Sequence, residues 1–228
     1  MAAALRFPRD TLKFLRALKR NNRREWFNAH RDEYERSVRA PMIAVVEQLA
    51  NDFRSFAPEL VANPKASMYR IYRDTRFSED KTPYKTHVAA VFPTRGFPKH
   101  EGAGLYFHVS PSEVWIGGGM YAPPTPQLHA VREHIAANTK RFRAIIESPR
   151  FRRVVGKLEG ERLQRVPRGF SHDHPAAEYL KFRNFLAGCE FPPEFATGPS
   201  FYRTLLNVFR QVAPLSRFLN EPLAGGER

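Results

Sequence analysis

The chain has 228 residues, of which 42% are hydrophobic and 13% aromatic. This composition is typical of a folded globular protein and excludes a disordered or fibrous chain. Lysine and arginine number 37 against 23 acidic residues, so the net charge is +14. The single cysteine, Cys189, excludes a disulfide framework and any zinc or iron–sulfur site that needs several cysteines.

Two stretches hold most of the positive charge. Residues 6–39 contain 11 basic and 5 acidic residues, and residues 140–168 contain 10 and 3, so together they carry +13 of the net +14. If they form one face, that face attracts a polyanion such as nucleic acid or a phosphorylated ligand, because neutralising phosphates drives association. The alternative is that both stretches are solvated surface.

Apolar runs are too short for secretion or membrane insertion. Charges recur from Arg6 onward, whereas a secretory signal needs about 7–15 uninterrupted apolar residues. No window approaches the roughly 20 apolar residues of a membrane span. We therefore expect a soluble, cytoplasmic protein without a membrane partner.

The N-terminal part shows the spacing of amphipathic helices. Residues 8–20 predict a short helix, which Asn21 and Asn22 end because asparagine tolerates the left-handed turn of a helix end. A second helix is predicted from about Arg23, and Pro41 predicts a kink or break near Arg39. Its apolar stripe consists of Phe27, Tyr34, Val38, Met42, Val45, Leu49 and Phe53.

The sequence between about 66 and 121 predicts strands. The runs at 68–73, 86–92, 103–109 and 113–117 are rich in β-branched and aromatic residues, and 103–109 alternates cleanly. The turn residues between the last two runs predict a hairpin, hence antiparallel neighbours. Strands and helices do not alternate here, which argues against a doubly wound parallel sheet.

Helical spacing returns after residue 121. We predict helices over about 125–147, over 175–188 with Asp173 or His174 as its cap, and from Phe201 to a bend or stop at Pro214. The fold class is therefore α+β, with a central, mainly antiparallel sheet (about 66–121) flanked by N-terminal and C-terminal helices. We predict one domain over 1–228, with an ordered core at about 7–218 and a frayed C-terminal tail.

Residues 69–87 are the densest run of chemically capable side chains. Arginine offers a planar fork of donors and lysine a movable point charge, so five cations could hold a phosphate or carboxylate. They are Arg70, Arg73, Arg76, Lys81 and Lys85. Asp74 or Asp80 could serve as a general base or a metal-binding carboxylate. The alternative is that both aspartates pair with the cations and pin the loop.

Tyr106 and His108 share one face of the strand at 103–109. We predict that they form a wall of the site, with His108 as a third candidate catalytic residue, and His87 could line the same face. His172 and His174 could offer ligands to a metal, yet no compact motif such as His-Glu-x-x-His occurs. We therefore predict no metal site.

Three further features have structural alternatives. In 21–27 we expect Asn22 to cap a helix and the two aromatic residues to anchor the core, although Arg24 and Glu25 could reach the loop at 72–86. Gly117–Gly119 could cradle an anion ahead of a helix, but such glycines more often allow a bulge or close packing. Cys189 follows a predicted helix and is interpreted as a packing residue.

One long motif resembles a known family. The run Tyr72–Thr86, Tyr-Arg-Asp-Thr-Arg-Phe-Ser-Glu-Asp-Lys-Thr-Pro-Tyr-Lys-Thr, resembles the hallmark of a bacterial and fungal family catalogued as domain of unknown function 2461. The resemblance continues in 21–27, 117–123 and 167–175 and covers about residues 7–218. It implies one domain and no particular activity, and no functional residue is carried over from it.

Two functional hypotheses follow. In the first, residues 69–87 bind a phosphate-bearing ligand, such as a nucleotide, a phosphometabolite or a nucleic-acid end, and the sequence leaves open whether a reaction follows. In the second, the chain is a non-enzymatic module that docks on nucleic acid or an acidic protein through its basic stretches. The sequence identifies neither a cofactor nor an oligomeric state.

Overall fold

A computed structural model describes residues 5–224 of the chain. Within these residues four strands form one antiparallel sheet in the order β1-β2-β3-β4, and helices flank it. The α+β class is confirmed. The predicted frayed tail lies, from residue 225 on, outside the described residues. The strands are β1 (Val88–Pro93), β2 (Gly104–Val109), β3 (Val114–Met120) and β4 (Phe185–Phe191).

The described residues cluster into two compact units. The first unit consists of the chain up to residue 91 with 106–116 and 190–206, and the second of 92–105, 117–189 and the chain from 207 on. Each contains fully buried apolar side chains, for example Phe14 and Val45 in the first unit and Phe142 and Phe185 in the second. The single domain stays a prediction.

The first unit begins with helix α1 (Arg9–Arg20). Its leucines at 12, 15 and 18 are buried, as the spacing predicts. The helix ends at Asn21 with a φ of −128°, so the expected left-handed turn is absent at this residue. The Asn21 N–H instead donates to the carbonyls of Ala17 and Leu18 and closes the last turn.

The predicted apolar stripe is confirmed, since all seven of its residues are buried. Pro41 does not break the helical path. It lacks the N–H that would bond the Ser37 carbonyl in an α-helix, and the hydroxyl of buried Thr11 donates to that carbonyl instead. The distortion expected near Arg39 is therefore a π-helical turn. The stripe runs through α2 (Arg24–Ala29), α3 (Arg31–Tyr34), the π-helical turn (Glu35–Arg39) and α4 (Ala40–Phe56).

The strand predicted at 68–73 is wrong. This segment follows the short helix α5 (Pro64–Ser67) and pairs only through isolated antiparallel bridges, Met68 with Ala90 and Tyr72 with Tyr84. One reason is Pro83, whose carbonyl accepts from the Arg73 N–H at 2.9 Å but which has no N–H to return. The alternation of the segment survives, because residues 70, 72 and 74 are exposed and residue 71 is buried.

The three glycines at 117–119 lie inside β3 and do not form a loop ahead of a helix. A Cβ on Gly118 would lie 2.4 Å from the Gly104 carbonyl oxygen, and one on Gly119 would lie 1.9 Å from that of Phe185. Neighbouring strands therefore approach too closely for any side chain. The anion cradle is wrong, and the close-packing alternative is confirmed.

The second unit contains a strand where the sequence predicts a helix. Only Ala177–Leu180 is helical within 175–188, and β4 begins at Phe185. Phe185 and Ala187 are buried while the residues between and after them are partly exposed, which is the period of a strand. Cys189 thus lies in β4, where burial raises the pKa of its thiol, which donates to the Val154 carbonyl at 2.9 Å.

The other helices of the second unit follow the predictions more closely. The segment at 125–147 is helical apart from a break at Asn138. The cap predicted at Asp173 or His174 is wrong, because Ala176 holds the N-cap position without a side-chain hydrogen bond, and His174 Nδ1 accepts from the Ala176 N–H at 3.0 Å ahead of the helix. The helices between residues 125 and 180 are α6 (Thr125–Ala137), α7 (Thr139–Ile146), α8 (Pro149–Val154), which was not predicted, and the short α9 (Ala177–Leu180).

The last helix, α10 (Phe201–Asn220), continues through Pro214 and does not stop there. Short 3-10 turns at Pro193–Thr197 and Glu221–Leu223 flank it. Among the described helices, none combines the length and the apolar character that crossing a membrane requires.

We predict that Gly119→Ala lowers the free energy of unfolding by about 3 kcal/mol or more, because the new methyl group meets the Phe185 carbonyl and the strands must separate. The control is Gly156→Ala, which has a similarly positive φ of 93° but open space around its Cβ. Backbone strain alone should cost it about 1–2 kcal/mol. Urea denaturation measures both, and equal losses would show that the close approach is unimportant.

Candidate functional site

Two clefts lie on the first unit around the predicted site, and Arg73 and Tyr84 border both. We call the larger one, of about 530 Å³, the lysine cleft; it is lined by Lys19, Asn22, Arg73, Asp74, Asp80, Thr82, Tyr84, Lys85, Thr86 and His87. We call the smaller one, of about 300 Å³, the tyrosine cleft; it is lined by Arg24, Asn28, Tyr72, Arg73, Thr75, Pro83 and Tyr84.

The shared residue Tyr84 is fixed by the junction of α1 and α2. Asn22 Nδ2 donates to the Tyr84 carbonyl at 2.9 Å, and the Tyr84 N–H donates back to Asn22 Oδ1 at 3.1 Å. The ring of Tyr84 stacks on that of Phe27, with centroids 4.2 Å apart. Asn22 therefore holds a distant loop and does not cap a helix, which corrects the expectation for this residue.

The other shared residue, Arg73, is held from three sides. Its guanidinium donates to Asp80, to Thr82 and, at 3.3 Å, to the hydroxyl of Ser78. Asp80 also accepts the Thr82 N–H at 2.9 Å. These hydrogen bonds, first that of the Thr82 N–H and then that of Arg73, lower the pKa of Asp80 to about 2.

Asp74 forms a second closed pair in the same loop. It accepts from Arg76 Nη2 at 2.7 Å and from Arg76 Nε at 3.0 Å. The hydrogen bonds from Arg76 lower the pKa of Asp74 to about 2. Carboxylates this acidic stay ionised near neutral pH and are weak proton acceptors. The structure thus shows the pairing that the sequence left as an alternative, and catalytic roles for Asp74 and Asp80 stay predictions.

The five predicted cations separate into two groups. Arg73 and Lys85 line the lysine cleft, whereas Arg70, Arg76 and Lys81 line neither cleft. Lys81 Nζ donates to the Thr75 carbonyl at 3.0 Å and braces the loop. Lys85 Nζ donates to the Arg70 carbonyl at 3.0 Å and lies 5.3 Å from the ring centroid of Tyr69.

The predicted wall of Tyr106 and His108 forms a hydrogen-bonded chain. Tyr106 Oη lies 3.2 Å from His108 Nδ1, and His108 Nε2 lies 3.2 Å from Glu113 Oε1. When neutral His108 donates its Nε2–H to the Glu113 carboxylate, its Nδ1 can accept a hydrogen bond from the Tyr106 hydroxyl. Burial lowers the pKa of His108, and the bond to Glu113 opposes this. Neither Tyr106 nor His108 lines the lysine cleft.

His87 lies between the hydrogen-bonded side chains of Tyr106, His108 and Glu113 and the lysine cleft. It lines the lysine cleft, and its ring centroid lies 5.7 Å from that of His108. Burial, then the neighbouring His108 and Lys85, lower the pKa of His87 to about 4. His87 is therefore neutral at physiological pH.

Several lining residues were not predicted from the sequence. Lys19, Asn22 and Thr86 line the lysine cleft, and Asn28, Tyr72 and Tyr84 line the tyrosine cleft. Tyr72 could have been identified from the sequence, because it lies on the exposed side of the alternation at 70–74. Arg24 lines the tyrosine cleft together with residues of the loop at 72–86, whereas the approach of Glu25 to that loop stays a prediction. Between residues 5 and 224, no three His, Cys, Asp or Glu side chains are grouped so that they could hold a metal ion.

The basic stretch at 140–168 lies in the second unit and is partly neutralised. Glu147 accepts from Arg143 Nε at 3.1 Å and lies 4.0 Å from Arg152 Nη2. A cleft of about 360 Å³ beside it is lined by Lys140, Arg143, Ala144, Glu147 and Ser148. A common face formed with the stretch at 6–39 stays a prediction.

Comparison with known proteins identifies the family. Residues 10–218 match the conserved hypothetical protein family DUF2461. This match covers most of the chain, so the protein belongs to that family, as the motif at 72–86 suggests. No curated protein matches the chain.

We predict that Asn22→Ala lowers the free energy of unfolding by about 1–3 kcal/mol, since it removes two hydrogen bonds worth about 0.5–1.5 kcal/mol each. The neighbouring Asn21→Ala is the control, because within residues 5–224 the Asn21 side chain bonds only the Ala17 carbonyl in its own helix. It should cost less than about 1 kcal/mol. Chemical denaturation measures both, and a larger loss in Asn21→Ala would contradict the assignment.

We predict that His87 makes the folded protein less stable as the pH is lowered. Its pKa is about 4 in the folded protein and 6.5 ordinarily, so the unfolded chain binds the proton more readily. Between pH 7 and pH 5 this should remove about 1–2 kcal/mol from the free energy of unfolding. His87→Gln should flatten the pH dependence, whereas exposed His172→Gln should not. Identical slopes in the wild type and His87→Gln would refute the prediction.

Proposed function

We propose that the first unit binds a phosphate-bearing ligand in the lysine cleft. The observation that carries the proposal is the uncompensated charge of Lys85. Its ammonium is partly buried, and burial followed by the nearby Arg70 lowers its pKa. Among the described residues its contacts are the Arg70 carbonyl and the Tyr69 ring, and no carboxylate forms a salt bridge with it. A cation held under these conditions is stabilised by a bound anion.

The other groups of the lysine cleft support an anion as its ligand. Exposed Lys19, at the end of α1, adds a second ammonium on a flexible stem. Thr86 adds a hydroxyl, and His87 adds a neutral imidazole that can donate a hydrogen bond. Together these residues supply two charges and several donors, which is what a phosphate group requires.

The two carboxylates of the cleft do not oppose this ligand strongly. Asp80 is paired with Arg73, and Asp74 is paired with Arg76, so each negative charge is matched by a guanidinium. The net charge facing an entering anion therefore comes from Lys19 and Lys85. The ligand is then a phosphometabolite or a nucleotide of the cytoplasm, where we expect the protein to act.

We predict that inorganic pyrophosphate binds the full chain and that Lys85→Gln raises its Kd about 10- to 100-fold. This is the range expected when a hydrogen bond to a charged group is lost. Isothermal titration calorimetry measures the Kd of the wild type and the variant. Lys13→Gln is the matched control, because Lys13 is an exposed lysine on the same helix as Lys19 but outside the cleft.

Two results would contradict the proposal. One is the absence of pyrophosphate binding, and the other is an equal loss of affinity in Lys13→Gln and Lys85→Gln. Oligonucleotide binding that survives Lys85→Gln but is weakened by Arg152→Glu with Arg153→Glu would instead favour docking through the basic stretch at 140–168. Such binding should also weaken steeply with salt.

A further inference from the structure

The tyrosine cleft opens next to the lysine cleft and has a different chemistry. Its most exposed aromatic side chain is that of Tyr72, with 46% of its surface accessible. Arginine and asparagine side chains surround this ring, whereas the lysines and His87 line only the other cleft. One cleft thus offers an aromatic surface with amide and guanidinium groups, and the other offers cations for a phosphate.

We propose that the ligand is a nucleotide, whose base stacks on Tyr72 in the tyrosine cleft while its phosphate occupies the lysine cleft. This inference rests on the proposed function for the phosphate end and adds the substrate class. Stacking of a base on an aromatic side chain is favourable for every base, because each has a π-face. The cleft of about 300 Å³ is small enough to suit one base and its sugar.

The ring of Tyr72 is held in place before any ligand arrives. One side packs toward Tyr84, with centroids 5.5 Å apart, and Phe27 approaches at 6.4 Å. Arg31 Nη2 donates to the Tyr72 hydroxyl at 3.4 Å. The exposed part of the ring is therefore a preformed surface, and little conformational freedom is lost when a base covers it.

Two residues beside the ring can recognise the edge of a base. Asn28 is exposed and carries both a donor and an acceptor, which match the paired donors and acceptors of a base edge. Arg24 is also exposed and can donate to ring nitrogens or carbonyls. Stacking alone does not distinguish between bases, so hydrogen bonds of this kind add selectivity for one base.

Two residues, Arg73 and Tyr84, line both clefts and connect them, so that one ligand can extend from one cleft into the other. Tyr84, only 3% exposed, forms a floor common to both. The Arg73 side chain is 25% exposed and stands between the clefts. Because it is already paired with Asp80, it presents donors to a sugar or phosphate without a large unpaired charge. A nucleotide fits this order of base, sugar and phosphate.

The test compares ligands that differ only by the base. Isothermal titration calorimetry on the full chain should give a Kd for at least one of AMP, GMP, CMP and UMP that is about 5- to 150-fold lower than that of ribose 5-phosphate. Tyr72→Leu should abolish this gain. Tyr72→Phe keeps the ring and should retain the gain.

The control variants separate this inference from the proposed function. Tyr121→Leu removes a 76% exposed aromatic ring of the second unit and should change nothing. Lys85→Gln should weaken nucleotides and ribose 5-phosphate alike. If ribose 5-phosphate binds but no nucleotide gains from its base, or the gain survives Tyr72→Leu, the nucleotide inference is overturned and phosphate binding stands. If neither binds, both fall.

The nucleotide could be free or could form the end of a strand, and a second titration distinguishes these sources. A short 5′-phosphorylated oligonucleotide and its unphosphorylated counterpart are compared with the best mononucleotide. Tighter binding of the phosphorylated oligonucleotide, lost in Tyr72→Leu, identifies a strand end. Binding of the mononucleotide alone identifies a free nucleotide. Failure of both in the wild type overturns the inference.

Discussion

The double hydrogen bond between Asn22 and the backbone of Tyr84 is the constraint on which the two clefts depend. An amide side chain has the donor and acceptor of a peptide group, so it can replace a missing strand neighbour. Asn220 does the same in the second unit, where it bonds the Ala103 carbonyl at 2.8 Å and the Ala103 N–H at 2.7 Å. Each unit thus uses an asparagine next to a helix end to fix an irregular segment.

The electrostatics of the loop at 72–86 follow from how its charges are matched. The aspartates are satisfied by arginines and by backbone N–H groups, so they brace the loop and lose basicity. Lys85 has only a carbonyl oxygen and an aromatic ring as its described partners. The positive charge available to a ligand therefore resides on lysines, although the motif contains as many arginines as lysines. The paired charges therefore fix the conformation of the loop, and Lys85 adds a positive charge beside it.

Local sequence patterns were sufficient to predict much of the fold. The stripe from Phe27 to Phe53, the alternation at 103–109 and the hairpin after it depend on neighbours in sequence, and all are confirmed. The strand at 185–191 was missed because a short apolar run gives little evidence of period. The site was only partly predictable, since Asn22 and Tyr84 are 62 positions apart. Nothing local shows that an asparagine will bond so distant a segment, or that a given aspartate will find an arginine.

The π-helical turn at Glu35–Arg39 has a consequence for chain length. A π turn contains one residue more than the α-helical turn it replaces, and here Thr11 supplies the hydrogen bond that Pro41 cannot. A relative that lacks one residue in this turn, together with the proline, can form an uninterrupted α-helix over the same path. We therefore expect this turn to accommodate the insertion or deletion of a single residue, although it lies inside a helix. Alignments of the family that open a one-residue gap at this turn would be structurally correct.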